Sequence, residues 1–284
     1  MARLKGSSRT QACRTGEFPD TSHSPFVAII GPMLAALFAC TVLWQDPRPA
    51  DKRPAPTAAK EASAEKGKDA GKALDDKSAK AVLDAWNKAK NSSKFEDRLQ
   101  ALDQFGTGRH KTIVPALTTI AGTDKSPLLQ KRAVELLVDQ TPTEALAAIK
   151  KLLKNPKVTD PMVLAELVRG IQRCGYDKTC WADIEPLFER SYAQECLPLH
   201  EAILELAKVC REKQALPLLL RNFDEPKPAD VDAADNPPAD YWEARWKAWQ
   251  AWRPRVADAL EAITGQKFEN AEAAKLWLKK NPQK

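Results

Sequence analysis

The sequence is poor in glycine and has no run in which polar and β-branched residues alternate. Only 11 of its 284 residues are glycine. Alternating β-branched runs are the usual signature of strands, so their absence argues against a β-sheet. The apolar residues, chiefly Leu and Ala, instead recur at helical spacing in short amphipathic segments. The sequence therefore predicts an all-α protein.

The sequence also lacks the usual marks of a catalytic site. It contains no glycine-rich phosphate loop, no H-E-x-x-H and no G-x-S-x-G. Its three histidines are His23, His110 and His200. His200 follows the start of a predicted helix, where we expect a surface or groove residue rather than a general base. We therefore predict that the chain is not an enzyme and has no cofactor.

The charged residues give no sign of metal or nucleic-acid binding. The segment 224–240 is acidic and contains Asp230, Asp232 and Asp235, but it lacks the glycine turn and the terminal glutamate of an EF-hand. We expect a solvated loop there and no metal site. The net charge is only +6, and the lysines within 150–157 are expected to be a solvated helix end. No nucleic-acid partner is predicted.

Residues 26–44 form an uninterrupted apolar run without a charged side chain. Nineteen helical residues at about 1.5 Å each come close to spanning a hydrocarbon layer of about 30 Å. Residues 1–25 carry more basic than acidic side chains. By the positive-inside rule they are expected to be a cytoplasmic basic tail, with the rest of the chain exported.

Three fates of this apolar run stay open. Its length favours an uncleaved signal anchor, because a signal-peptide core usually has about 7–15 apolar residues. The second fate is cleavage as a secretory signal. The third is a lipoprotein signal, because the sequence Leu-Phe-Ala-Cys that ends at Cys40 resembles a bacterial lipobox, in which Cys40 would carry lipid. Each fate puts the following domain on the periplasmic or extracellular side, either anchored or secreted.

Residues 45–78 are rich in Pro, Ala, Lys and Asp and contain no aromatic side chain. Such a composition buries too little apolar area to offset the entropy of ordering, so we expect a disordered linker. The remainder, residues 79–284, is expected to form a single helical repeat domain.

Pairs of amphipathic helices recur between residues 95 and 280 with a period of about 31–37 residues. The apolar segments centred on Pro115, Pro186 and Pro217 are three versions of one pattern. Because one helix pair cannot bury its apolar face alone, this repeat predicts an α-solenoid of stacked antiparallel helix pairs. The predicted helices are 78–90, 95–105, 111–121, 127–139, 142–154, 161–174, 180–191, 197–210, 213–222, 241–252, 254–264 and 270–280.

Capping residues and glycines support these limits. Ser126, Thr141 and Asp160 each precede a proline and are expected to cap the helices that follow. Gly122 and Gly175 are expected to end helices, as residues that tolerate positive φ often do.

The proline-centred segments, together with residues 98–102, 132–137 and 256–260, resemble HEAT repeats. The closing segment 259–266 is similar to the carboxy-terminal end of exported HEAT-like proteins from planctomycete-type bacteria. Segment 142–154 departs from the pattern because it lacks the central proline. The resemblance implies a right-handed α-solenoid that serves as an interaction scaffold, and it transfers no catalytic residue.

The repeat is interrupted at 224–253 by the acidic loop and a tryptophan-rich helix. Half of the eight tryptophans lie in this helix, and their spacing places the first three on one helical face with the fourth nearby. They either pack the added helix onto the array or line a binding groove. The residues of such a groove would be Trp242, Arg245, Trp246, Trp249, Trp252 and Arg253.

Four cysteines, Cys174, Cys180, Cys196 and Cys210, lie in the repeat domain, in a compartment expected to permit disulfides. In alternating antiparallel helices, all but Cys196 should gather at one edge of the array. We prefer a bridge between Cys174 and Cys180, with Cys180–Cys210 as the alternative and free buried thiols as the third outcome.

These features together predict a non-catalytic protein-interaction scaffold, displayed on the outer face of a membrane, whose protein partner the sequence does not identify. Two alternatives stay open. One is a module that binds cell-wall glycan through the tryptophans of 242–252. The other is an accessory subunit of a membrane complex, in which residues 26–44 make contacts of their own.

Overall fold

The computed structural model describes residues 72–228 and 233–282 of the chain. Within these residues the fold is all-α, as the sequence predicts, and the only extended pairing is a parallel bridge between Ala73 and Arg109. The α-helices of the described residues are α1 (Asp76–Ala89), α2 (Phe95–Asp103), α3 (Ile113–Thr123), α4 (Pro127–Val138), α5 (Pro142–Leu153), α6 (Pro161–Cys174), α7 (Trp181–Phe188), α8 (Leu197–Val209), α9 (Leu216–Arg221), α10 (Ala239–Thr264) and α11 (Ala271–Lys280).

Capping side chains fix the start of three helices. The carboxylate of Asp160 accepts hydrogen bonds from the backbone N–H groups of Met162 (2.9 Å) and Val163 (3.2 Å). These bonds satisfy two donors that the first turn of a helix leaves without an intrahelical partner. Asp75 caps α1 and Asn270 caps α11 through one such bond each.

The prediction that Ser126 and Thr141 cap their helices is wrong. Neither side chain accepts a backbone hydrogen bond at its helix start. The proline that opens each helix already has φ fixed at a helical value and lacks one N–H, so a start can form there without the side-chain cap. By contrast, Gly175 follows α6 with a φ of 106°, as predicted for a residue that ends a helix.

The helices form two layers, and each even-numbered helix packs on the odd-numbered helix before it. In one layer α2, α4, α6, α8 and α10 are successive neighbours. In the other layer α1 contacts α3 and α3 contacts α5, while α9 contacts α11 farther along the chain. A single apolar core lies between the layers and extends from α1 to α11.

Glycines let the helices of this stack approach closely. A Cβ atom at Gly170 would lie 2.8 Å from methyl carbons of both Ile149 and Val138. Gly122 is buried inside α3, where a Cβ would lie 3.2 Å from a methyl of Leu152. The helix ends one residue after Gly122, close to the predicted position, but close packing rather than a positive φ accounts for this glycine.

Helix α10 is one continuous helix of 26 residues where the sequence predicts two. The predicted helices 241–252 and 254–264 leave a break at residue 253, and proline at 254 disfavours helix at the residue before it and removes a backbone N–H. In the structure Pro254 lies inside the helix and is exposed. Water can therefore reach the carbonyl that loses its partner. The buried side chains of Trp252 and Val256 hold the helix against the core on both sides of the proline.

The described helical region begins before the predicted domain limit at residue 79. Arg109 N–H donates to the carbonyl of Lys72 (3.1 Å), and Leu74 N–H donates to the carbonyl of Arg109 (3.0 Å). No helix within 72–228 and 233–282 is long and apolar enough to cross a membrane. The membrane or signal segment predicted at 26–44, with the possible lipidation site Cys40, lies outside the described residues.

Candidate functional site

A groove runs along the first half of α10, where this helix faces the segment that connects α7 to α8. It consists of two adjoining cavities of about 500 and 360 Å³, which share Tyr192, Ala193 and Ala244 in their lining. The short side chains of Ala244 and Ala248 leave room for the groove above α10. Its rim is polar and carries both signs of charge, with Gln194, Asp240, Glu243 and Lys247.

The guanidinium of Arg245 lies between two aromatic rings beside this groove. Its Cζ atom is 5.3 Å from the ring centroid of Tyr192 and 5.7 Å from that of Trp242, within the range of a cation–π contact. Tyr241 contacts the Tyr192 ring edge-on at 5.6 Å and the Trp242 ring at 5.2 Å. These four side chains thus hold the loop against the helix.

The hydroxyl of Tyr192 stays protonated in this environment. Burial raises the pKa of Tyr192 to about 12, although the neighbouring Arg245 opposes the shift. At neutral pH the groove therefore presents a neutral phenol, and the charges of its lining are those of Glu189, Arg190, Asp240, Glu243 and Lys247.

An aromatic cluster, defined here as Phe188, Tyr192, His200 and Trp252, extends from the groove into the core. The ring centroids of His200 and Phe188, of His200 and Trp252, and of Phe188 and Trp252 are each 4.7 Å apart. His200 is completely buried. Within the described part of the chain, neither its ring nitrogens nor Nε1 of Trp252 has a hydrogen-bond partner.

The expectation that His200 is a surface or groove residue is therefore wrong. It lies on the face of α8 that packs against the aromatic cluster, and burial lowers its pKa to about 4. The main chain of Phe188 and Ser191 lies near enough to oppose part of this shift, but it forms no hydrogen bond of acceptable geometry with the ring. The imidazole is consequently neutral at pH 7 and cannot serve as a cation in the groove.

The six residues predicted to line a groove are divided among three environments. Trp252 is 1% exposed and belongs to the aromatic cluster. Arg245 packs on Tyr192, which lines the groove, and on Trp242. Trp246 and Trp249 instead donate hydrogen bonds to the segment that follows α9, and Arg253 covers the Trp249 ring. The packing interpretation therefore applies to Trp252, whereas Arg245 and Trp242 connect to the groove through Tyr192.

The segment that follows α9 is attached to α10 through two indole N–H groups. Nε1 of Trp246 donates to a carboxylate oxygen of Glu225 at 2.7 Å, and Nε1 of Trp249 donates to the carbonyl of Phe223 at 3.3 Å. Arg253 covers the ring of Trp249, with Cζ 5.2 Å from its centroid. Trp246 keeps 39% of its surface exposed. The predicted acidic loop continues beyond this attachment, but Asp230 and Asp232 lie outside the described residues.

Sequence reasoning missed Tyr192, Tyr241 and Ala244, which line the groove. Residues 192 and 241 are far apart in the chain, so no local pattern joins them. One signal pointed to them: the chain has only three tyrosines, and two of them meet here.

The four described cysteines are free thiols, so neither the predicted Cys174–Cys180 bridge nor its Cys180–Cys210 alternative is formed in the structure. The thiol of Cys174 is directed to the carbonyl of Val138 in the preceding helix pair, at 3.9 Å. Burial raises the pKa of the thiols at 174, 180 and 210, which makes them weak nucleophiles at neutral pH.

Comparison with known proteins finds no matching family model, no matching curated protein and no matching solved structure. The assignment of a function to this chain therefore rests on its own geometry.

Proposed function

We propose that the chain is a non-catalytic scaffold that binds another protein through the groove beside α10. In this proposal the two helix layers are a HEAT-like α-solenoid. The regular pairing of each even-numbered helix with the odd-numbered helix before it supports this reading, because stacked pairs of this kind are what the sequence repeat predicts.

The observation that carries the proposal is the composition and form of the groove. Tyrosine, tryptophan and arginine are the residues most enriched at protein-binding hot spots. Tyr192 lines this cavity, and Arg245 joins it to Trp242. Their mutual contacts fix the geometry in advance, which lowers the ordering cost of binding. The small Ala244 leaves room for an apolar side chain of the partner, and the mixed charges of the rim suit polar contacts around it.

A glycan ligand fits this surface less well than a protein does. Sugar rings stack on the open face of an indole, but Arg245 lies over the Trp242 ring and Arg253 lies over the Trp249 ring. Trp252 is buried. Of the four tryptophans in α10, only Trp246 combines substantial exposure with a face that no guanidinium covers. A single indole offers little for a glycan chain.

Display on the outer face of a membrane is part of the same proposal. Its support is the apolar run 26–44 with the basic residues before it. A contribution of that run to a membrane complex is the runner-up, and exchange of residues 26–44 for an unrelated membrane span separates the two. A scaffold with a simple anchor keeps its partner after the exchange, whereas an accessory subunit loses it.

The groove can be tested by site-specific photo-crosslinking of the full chain. A photoreactive amino acid replaces the exposed Gln194 on the groove rim, and a second preparation carries it at the exposed Lys151 on α5. We expect a defined protein to be crosslinked from cell-envelope proteins at position 194 and not at position 151. Mass spectrometry of the product identifies it.

Two substitutions in α10 serve as a matched pair in this experiment. Ala244→Arg fills the groove, while Ala251→Arg adds the same side chain at an exposed position of the same helix. We expect the first to abolish the crosslink and the second to preserve it. Equal crosslinking in both variants would contradict the proposal. Retention of purified cell-wall glycan that survives Ala244→Arg and disappears in Trp246→Ala would favour the glycan-binding alternative.

A further inference from the structure

A separate cavity of about 540 Å³ lies between the connection from α1 to α2 and the carboxyl end of α3. We call it the polar pocket. Its chemistry differs from that of the groove, because most of its lining is polar and three of its side chains are cations. The residues that matter for the argument are Lys90, Asn91, Ser93, Arg98, Asp124 and Lys125.

The charge of Arg98 is poorly compensated in this pocket. Its side chain is only 19% exposed, and its one ion pair within the described part of the chain joins Nη1 to Oδ1 of Asp124 at 3.4 Å. That same oxygen already accepts the backbone N–H of Ser126 at the shorter distance of 2.8 Å. Nε of Arg98 is buried and has no partner among the described residues. A buried cation normally has better partners, since unpaired burial of charge is costly.

Arg132, on the neighbouring helix α4, is an arginine whose guanidinium is well paired with carboxylates. Its Nε donates to Asp103 at 2.7 Å and its Nη1 donates to Glu135 at 2.9 Å. Two short bonds from one guanidinium are the usual arrangement for arginine with carboxylates. Arg98 is less exposed than Arg132 and has fewer partners among the described residues, so its charge is the less compensated of the two. An anion in the pocket that Arg98 lines would compensate this charge.

The walls of the polar pocket are fixed before any ligand arrives. Ser92 N–H donates to the carbonyl of Ala89 (2.8 Å), and the Ser92 hydroxyl donates to Asp97 (2.9 Å). On the facing wall, Asp124 N–H donates to the carbonyl of Ile120 (3.0 Å), while the Asp124 carbonyl accepts from the Gln130 side chain. Such preorganisation favours binding because few side chains or loops must lose conformational entropy when the ligand binds.

We propose that the polar pocket binds a phosphate-bearing ligand. The three cations and the one carboxylate of its lining leave a charge of about +2, which matches the charge of about −1.5 to −2 that a phosphate monoester carries at pH 7. The fork of Arg98 donors suits a phosphate, and Lys90 and Lys125 supply flexible ammonium groups at the exposed edge.

The size of the pocket indicates more than a free phosphate ion. A volume of about 540 Å³ is within the range of small-molecule sites, and Trp86 contributes an apolar surface to the lining. Asn91 and Ser93 add neutral polar groups that suit hydroxyls of the ligand. The chemistry shared by the ligands that fit is thus a phosphate ester on a small polar body, whether it is a soluble sugar phosphate or the headgroup of a lipid.

Calorimetric titration of the full chain tests this inference. The probes are inorganic phosphate and glucose 6-phosphate, with sodium chloride at equal ionic strength and glucose as their controls. We expect saturable binding of both phosphates, tighter for glucose 6-phosphate, and no binding of glucose. Vesicles of phosphatidylglycerol, compared with vesicles of phosphatidylcholine, form a separate arm that reports on a lipid headgroup.

Arg98→Gln should weaken phosphate binding by about tenfold or more, because it removes a charge-assisted donor set. Arg132→Gln is the matched control and should leave the affinity unchanged. If Arg98→Gln fails to fold, as circular dichroism would reveal, Lys125→Gln replaces it, since this exposed substitution should weaken binding by about threefold without disturbing the core.

Each arm has a decisive outcome. Binding of glucose 6-phosphate that depends on Arg98, without vesicle binding, assigns the site to a soluble phosphate ester. Binding to phosphatidylglycerol vesicles that depends on Arg98 assigns it to a lipid headgroup. Absence of saturable binding in every arm, or affinities equal in the wild type and in a folded Arg98→Gln chain, would overturn the inference. Neither result bears on the protein groove beside α10, which lies on other helices.

Discussion

The core of helices α3 to α6 and the core of helices α7 to α10 are built from different side chains. The first contains Leu, Ile, Val and Ala and no buried aromatic ring, whereas the second is built around Trp181, Phe188, Tyr192, His200 and Trp252. The aliphatic core has buried polar side chains with partners, such as Gln140, which donates to the carbonyl of Gly108. The aromatic core has four ring nitrogens without any described partner.

This difference shows two ways to stabilise the packing of two helix layers. Aliphatic side chains at helical spacing fill the space between layers with no polar atoms to satisfy. Large aromatic rings bury more area each, but they carry N–H groups that cost stability when they have no partner. The aromatic core is also the one that reaches the surface as a groove. The core whose buried ring nitrogens lack partners therefore lies next to the region proposed to bind a partner.

Removal of Trp252 should have the largest effect on the aromatic core. Trp252→Ala is expected to lower the free energy of unfolding by about 4 kcal/mol, because the residue is fully buried and contacts three other rings. Urea denaturation followed by circular dichroism measures the loss. Trp252→Phe, which keeps a ring but removes the unpartnered N–H, should cost much less. Equal losses in the two variants would contradict the packing described for this residue.

Acid should weaken the aromatic core selectively through His200. In the unfolded chain the imidazole binds a proton below its ordinary pKa of 6.5, whereas in the folded chain it stays neutral until about pH 4. Between these values the unfolded state binds more protons, so stability is present at pH 7 and is lost as the pH falls. The expected loss is about 3 kcal/mol.

His200→Phe isolates this contribution, because the carboxylates of the chain titrate in both proteins. The free energy of unfolding of the wild type should fall more steeply between pH 6.5 and 4 than that of the variant. Parallel curves across this window would show that His200 titrates normally in the folded chain and is not sealed in the core.

A single added methyl group should destabilise the aliphatic core. Gly170→Ala would bring its Cβ within 2.8 Å of methyl groups of Ile149 and Val138. Because a packed core resists extra volume, we expect a loss of about 2 kcal/mol. Lys151→Ala, at an exposed position of α5, serves as the control with an expected change near zero. Thermal unfolding of both variants provides the comparison, and an unaffected Gly170→Ala midpoint would refute the tight contact.

The smallest expected effect belongs to Trp246, on the outer side of the same tryptophan-rich helix. Trp246→Ala should cost about 1 kcal/mol, since the indole is 39% exposed and loses one hydrogen bond to Glu225. Fluorescence quenching by iodide should report this indole as accessible. A loss of unfolding free energy comparable with that of Trp252→Ala would show that Trp246 is a core residue.

Helix positions could be predicted from the sequence because proline, capping residues and apolar spacing act locally. Asp160 followed by proline marks the start of α6, and Gly175 marks its end. The predicted break between 252 and 254 is wrong, since the packing of Trp252 and Val256 overrides the local preference of Pro254. Tertiary contacts of this kind have no local signal.

The candidate site was only partly predictable. Composition pointed to the tryptophans of α10, and in the structure Arg245 and Trp242 connect to the groove through Tyr192. Helical spacing alone could not separate Trp252 from the others, because which side of a helix is buried depends on its neighbours. Tyr192 lies in the connection before α8, so its meeting with Tyr241 depends on the fold as a whole.

The bridge between Ala73 and Arg109 determines how tension on the preceding chain would enter the fold. If residues before Lys72 are pulled, the first tertiary contacts in line are the two backbone hydrogen bonds to Arg109, which precede α1 in the chain. Arg109 is itself connected to the end of α4, because its Nε donates to the carbonyl of Asp139. Gly108 makes this coupling possible, since a Cβ there would collide with the carbonyl oxygen of Lys72. These three hydrogen bonds thus connect the chain before α1 to the helix pairs α1–α2 and α3–α4.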